Sequence, residues 1–239
     1  MILVHLVILL QSSFLPRPMT IPPPQPVPHF IYIYDPLCGW CYGFSPVIMQ
    51  LEETFRDRAS FEVIAGGMVR GDRVGPLLDI APYLREAYLT VEKTTGIRFG
   101  QPYLDELFGE ADMIMDSEPG CLVQTAVNLL QPDLAIPFAR EIQKSIYARG
   151  IPPSDLISWI DLAVTLGIDR QTISDLLSDD QTYQEMINGF SRSEGKGVRG
   201  FPTLLMEVED QRYIITRGYA PWSAVDKRID EILFTLPRD

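Results

Sequence analysis

Cys38-Gly39-Trp40-Cys41 follows an apolar run, Phe30 to Tyr34, and precedes a stretch with helical spacing, Val47 to Phe55. Two thiols separated by two residues can open and close a small disulfide, a two-electron couple. A strand-to-helix junction puts the first sulfur at the positive end of a helix, which favours thiolate, the attacking species in exchange. The expected chemistry is therefore thiol–disulfide exchange. Cys38 would attack with the more accessible sulfur, and Cys41, one turn into the helix and more buried, would resolve the mixed disulfide from within. Gly39 reads as letting the turn form without a Cβ clash. Trp40 reads either as a flat apolar contact for a peptide or as packing against neighbouring helices.

Other reactive residues are few. Three cysteines and two histidines, His5 and His29, complete the soft-ligand inventory. A structural zinc site takes four such ligands. Cys38, Cys41, Cys121 and His29 meet that number, but no second paired motif accompanies them, and the reading is redox chemistry without a metal. Cys121 stands beside Leu122 and Val123 in the first turn of a predicted helix, where a lone cysteine is more often a small buried hydrophobe than a reactive thiol. Asp35 and Glu52 are candidates for handling the proton of Cys41. The plainer reading is a strand end and a solvated helix position.

These residues need a frame. Phe30–Tyr34 and Phe61–Ala65 read as strands, the second closed by Gly66 and Gly67. The helix between them implies a parallel pair. Pro46, five residues beyond Cys41, is expected to kink or restart that helix. Helices are then predicted over Pro82–Thr95, Gln101–Glu110, Ile136–Ala148, Ser154–Leu166 and Asp169–Leu177. One more begins at Ser117, a cap residue followed by proline in the first turn. Another opens at Thr182, with Glu185 completing a capping box. Thr203–Val208 and Gln211–Thr216, with Glu209 and Asp210 as the turn, read as an antiparallel hairpin, and Ser223–Leu236 as the last helix.

A two-stranded piece is marginal alone, so the two ends are expected to share one sheet. Residues 29–75 and 197–239 then form an α/β domain, and residues 76–196 an inserted helical domain. Residues 1–28 read as an apolar, proline-rich lead-in. Met1 to Leu10 is too short to span a bilayer and lacks the basic start of a secretion signal. It is either a mis-called start, with Met19 as the true one, or a weak secretion or anchoring signal. The composition, 46% hydrophobic and 22% charged, fits an ordinary globular core, and the net charge of −12 argues against nucleic acid or an anionic membrane as partner.

Asp35 to Phe44, DPLCGWCYGF, resembles the active-site segment of the DsbA-like thioredoxin-fold family, most closely its FrnE-like branch of bacterial disulfide oxidoreductases. Gly197 to Thr203, GVRGFPT, resembles the cis-proline loop that is the family's second hallmark. The order β-α-β, helical insertion, β-β-α matches over residues 29–239. The resemblance implies an α/β thioredoxin-like fold and a protein-disulfide oxidoreductase or isomerase with catalytic Cys38 and Cys41. Gly39 and Trp40 would be active-site neighbours, and Phe201 and Pro202 the substrate-binding loop, its peptide bond cis. It implies protein or peptide thiols and disulfides as partners. No bound cofactor is expected, with glutathione a candidate redox partner; Arg199, near the proline loop, reads equally as a contact for its carboxylate or as a surface charge.

Gly39-Trp40 places no cation between the cysteines, so the expected potential lies below the roughly −120 mV of DsbA and nearer the roughly −270 mV of thioredoxin. A reducing poise suggests the cytoplasm, and a real leader would move the protein to the periplasm or outside. A second reading is a glutathione-dependent transferase or isomerase, of the kappa-class or hydroxychromene-carboxylate isomerase type, which uses one serine or cysteine without a resolving partner. A third is a non-catalytic chaperone that would tolerate loss of Cys38.

Overall fold

A computed structural model describes residues 27–109 and 113–235. The lead-in expectations for residues 1–26, and the predicted helix ends at Glu110 and Leu236, lie outside the described residues. The chain begins with β1 (His29–Tyr34), α1 (Gly39–Phe55) and β2 (Ser60–Ala65). It continues through β3 (Gly75–Pro76), α2 (Leu77–Thr95), α3 (Gln101–Phe108), β4 (Ile114–Met115), α4 (Glu118–Leu130) and α5 (Ala135–Arg149). It closes with α6 (Leu156–Thr165), α7 (Arg170–Leu177), α8 (Asp180–Gly195), β5 (Thr203–Val208), β6 (Gln211–Arg217) and α9 (Trp222–Thr235).

The main sheet has the order β2-β1-β5-β6, with β1 and β2 parallel and the other pairs antiparallel. β1 is central, and both of its faces are buried. Ile31 and Ile33 pack with Ile64 and Leu205 on one side. Phe30, Tyr32 and Tyr34 join the large core on the other, beneath α1. That two-residue alternation fixes the register, because a one-residue slip would exchange the two faces. The helices from α2 to α8 lie between β2 and β5 in sequence. They close over the sheet through contacts of α5 with α1 and of α4 and α8 with β2.

Three local expectations fail. Pro46 does not restart the helix, since α1 runs unbroken from Gly39 to Phe55. Proline removes the N–H that the Tyr42 carbonyl would accept. The buried Ser45 hydroxyl donates to that carbonyl instead, at 2.8 Å. α8 starts earlier than the Thr182 capping box, because Asp179 is extended and its carboxylate already accepts from Gln181 N at 2.9 Å. Pro82 lies inside α2 rather than at its start, and α2 begins where β3 pairs with β4, a two-residue ribbon too short to show in the sequence pattern.

Candidate active site

The end of β1 carries the chain into the site. Asp35 and the turn after it put Cys38 at the N-cap of α1, with φ −90° and ψ 107°. The Cys38 sulfur accepts from Cys41 N at 3.3 Å, an orphan donor of the first helical turn. From the other side its thiol donates to the Phe201 carbonyl at 3.5 Å. The Phe201–Pro202 peptide bond is cis, as expected. All three cysteines are free thiols, so the arrangement is that of the reduced dithiol.

The sulfurs differ in burial. Cys41 is 0% exposed and Cys38 6%. The expected order therefore holds, Cys38 being the more accessible of the two, but the margin is small, because the Phe201 loop packs against its sulfur. Burial, then the hydrogen bond and charge of Cys38, push the Cys41 thiol well above its ordinary range. Cys41 thus keeps its proton at neutral pH.

Asp35 braces the turn from below and is 0% exposed. Its Oδ1 accepts from Leu37 N and from the Ser117 hydroxyl, each at 2.9 Å, and its Oδ2 from Met68 N at 2.6 Å. Burial outweighs these three donors and pushes the carboxyl up to about 6. Ser117 also accepts from Val69 N at 3.0 Å, so its hydroxyl ties α4 to the loop after β2 instead of capping α4. The buried Gln143 side chain on α5 donates to the backbone carbonyls of Asp35 and Cys38, at 3.2 and 3.5 Å.

Beside Cys38 opens a cavity of about 290 Å³. Leu37, Gly39, Trp40, Met68, Tyr83 and Tyr88 are among its lining, which carries no charged side chain. Phe99, Tyr103 and Tyr147 form its floor, with Tyr147 edge-on to Phe99 and Tyr103 at 5.2 and 5.1 Å, Phe99 tilted on Tyr103 at 5.7 Å, and Tyr42 stacked on Tyr147 at 5.2 Å. Tyr83 stands at the rim, 72% exposed. Trp40 lines the cavity and leans toward Tyr219, beyond β6, with ring centroids 6.5 Å apart.

The structure thus brings together Cys38, Cys41, Gly39, Trp40, Phe201, Pro202 and Asp35. Other expectations do not converge. A Cβ on Gly39 would meet Phe99 at 3.6 Å and Val91 at 3.9 Å, ordinary contacts, so Gly39 does not avoid a clash. Glu52 lies three turns along α1, paired with Arg56 at 3.2 Å. Arg199 is exposed and outside the cavity lining. His29 stands at the opposite end of β1, against Ser60 Oγ at 2.8 Å, and does not join the cysteines. Cys121 is fully buried, and its thiol is pushed well up by burial and by the charge of Asp35. Ser117, Gln143 and the aromatic floor were missed, because they reach the dithiol only through tertiary packing, from 82 and 108 residues beyond Asp35 for the first two.

No known protein-family profile matches the chain, nor does any curated protein sequence. Solved structures do. A "putative protein disulfide isomerase" from Nitrosomonas europaea is 30% identical, with a TM-score of 0.76 over 88% of this chain and 100% of that one. The cytosolic disulfide reductase DsbM from Pseudomonas aeruginosa is 24% identical, with a TM-score of 0.72 over 85% of this chain and 97% of that one, and it also matches in a structure with glutathione. A 2-hydroxychromene-2-carboxylate isomerase shares the fold at 16% identity, with a TM-score of 0.59 over 85% of this chain and 95% of that one.

Proposed function

The chain belongs to the DsbA-like thioredoxin-fold family, and on that premise we propose that it is a dithiol–disulfide oxidoreductase of protein or peptide disulfides, in which Cys38 attacks and Cys41 resolves. One observation carries the reading. The Cys38 sulfur sits at the first turn of α1, against Cys41 N on one side and the Phe201 carbonyl on the other. A disulfide bound along the Phe201 loop meets Cys38 before it can meet the enclosed Cys41.

Electrons and protons balance in two exchanges. The Cys38 thiolate attacks one sulfur of the substrate disulfide, forming a mixed disulfide and releasing one substrate thiolate. Cys41 then attacks the Cys38 sulfur and closes the Cys38–Cys41 bond. The second substrate thiol leaves, taking the Cys41 proton. Two electrons have passed from enzyme to substrate, and the reverse sequence oxidises a dithiol. The substrate backbone pairs with the main chain at Phe201, in the manner of strand addition, and a side chain next to its cysteine enters the apolar cavity. Without a cation between the cysteines, the protein runs as a reductase or isomerase in the cytoplasm, recycled by a thiol such as glutathione. The fold shared with a cytosolic disulfide reductase is consistent with that compartment.

The cavity beside Cys38 also favours a second reading, a glutathione-dependent transferase or isomerase with a small aromatic substrate. That reaction leaves Cys41 idle. Titration of the full chain across glutathione redox buffers, beside a Cys38→Ser variant, separates the two. A two-electron transition absent from the variant supports the dithiol enzyme, and its midpoint sets the direction of catalysis. Bound glutathione with no Cys38–Cys41 bond at any poise supports the transferase.

A further inference from the structure

Tyr32 and Tyr34 share one face of β1 and stack, with centroids 5.4 Å apart. Their hydroxyls are treated differently. Tyr34 donates to Gln124 Oε1 at 2.6 Å. The Tyr32 hydroxyl is enclosed in the core and has no hydrogen-bond partner among the described residues. An enclosed hydroxyl without a partner is costly, and phenylalanine would fill the same space without it.

Its surroundings indicate when the hydroxyl is used. The Tyr32 ring lies 5.9 Å from that of Phe44, one turn beyond Cys41 on α1 and therefore on the same helix face. Cys41 is the neighbouring group that acts most strongly on Tyr32; burial and this thiol together hold the phenol well above its ordinary range, so at neutral pH it keeps its proton and remains a donor. Tyr34, Phe44 and the cysteines surround it, and none of these side chains is a cation that could balance a thiolate.

We propose that Tyr32 donates a hydrogen bond to the Cys41 sulfur when that sulfur acquires negative charge in the resolving step. The inference rests on the dithiol reading above. During that step the S–S bond of the mixed disulfide breaks and the Cys38–Cys41 bond forms. The Cys41 proton passes to the departing substrate thiolate, and Tyr32 keeps its own proton throughout. In the dithiol the hydroxyl makes no hydrogen bond of full geometry, although the Cys41 thiol is beside it; the bond tightens only when that sulfur carries charge.

Dithiobis(nitrobenzoate) tests this in the full chain by stopped flow. Attack by Cys38 releases one coloured thiolate and resolution by Cys41 the second. Wild type is expected to release both and Cys38→Ser neither. A wild type that releases only one overturns the dithiol reading and this inference together. Where both are released, Tyr32→Phe should slow the second phase about tenfold, the scale of one hydrogen bond to a charged group. The first phase should stay within twofold, and Tm should be unchanged or higher. A second phase within twofold of wild type overturns the role of Tyr32 alone, as does a loss of both phases with a lowered Tm. Difluorotyrosine at position 32 keeps the ring and gives a more acidic donor. It should speed the second phase, and an unchanged or slower phase overturns the proposal.

Discussion

The thiol of Cys38 donates to the carbonyl oxygen of Phe201 at 3.5 Å, joining residues 163 apart in sequence. Neither the CxxC turn nor the proline loop is complete without the other. The Cys38 sulfur is held by the helix it caps and by a strand entry at the far end of the chain.

The two sulfurs should therefore be separable by mutation. Cys41→Ser is expected to accumulate a mixed disulfide at Cys38, seen as one added substrate mass on the intact protein. Cys38→Ser should lower turnover of a peptide disulfide by at least roughly a thousandfold, the scale of nucleophile removal. The buried Cys121 cannot substitute. Turnover that survives Cys38→Ser would sink the assignment.

Gly66 gives a test of the proline loop. A Cβ there would overlap the Phe201 ring, so Gly66→Ala must push that ring aside. The overpacking should cost about 1–3 kcal/mol in urea unfolding. Because Phe201 moves, kcat/KM for a peptide disulfide should fall well beyond what the lost stability explains. Unchanged kinetics in a folded variant would mean that the ring position is irrelevant to turnover.

Asp35 predicts a pH dependence of unusual sign. Its folded value of about 6 lies above the ordinary 3.8. Between those limits the folded protein holds more protons than the unfolded chain, so stability falls as pH rises. The contribution is full below the lower limit and lost above the upper one, on the order of 3 kcal/mol. The difference in unfolding free energy between wild type and Asp35→Asn should slope across that window and flatten outside it. A flat difference throughout would rule out the raised carboxyl.

Ser45 and Pro46 should be coupled. Ser45→Ala removes the donor to the Tyr42 carbonyl and should cost about 1–2 kcal/mol, the scale of a buried acceptor left unmade. Pro46→Ala restores the helical N–H that proline lacks, so the double variant should regain most of that loss. A strictly additive cycle would place the Tyr42 carbonyl elsewhere in the energetics.

Much of this was legible in the sequence, and the reasons are local. The apolar run from Phe30 to Tyr34 marks β1, the CxxC spacing marks one half of the site, and the resemblance of Gly197 to Thr203 to the family's proline loop marks the other. The misreadings have equally local causes. Backbone rules alone govern the expectation for Pro46, while a serine one residue away supplies the missing donor. Thr182 and Glu185 matched a capping box, while Asp179 capped first. Ser117 had the composition of a cap, but its hydroxyl is taken by Asp35 and Val69. The apolar cavity and the brace from Gln143 depend on distant helices meeting, and no periodicity in one segment reports which helices those are.

The split origin of the sheet has a consequence for how the protein is made. β1 and β2 are translated early, while β5 and β6 follow only after the whole helical block. Cys38, Cys41 and Cys121 have all left the ribosome before Phe201 is added. Until the β5–β6 hairpin docks against β1, the nascent chain carries its dithiol without the loop that later encloses it, and a third thiol not yet locked inside. Sheet closure across so long a separation is slow. The interval between translation of the cysteines and arrival of the hairpin is therefore when wrong disulfides would form, and when a reducing environment would matter most to the chain.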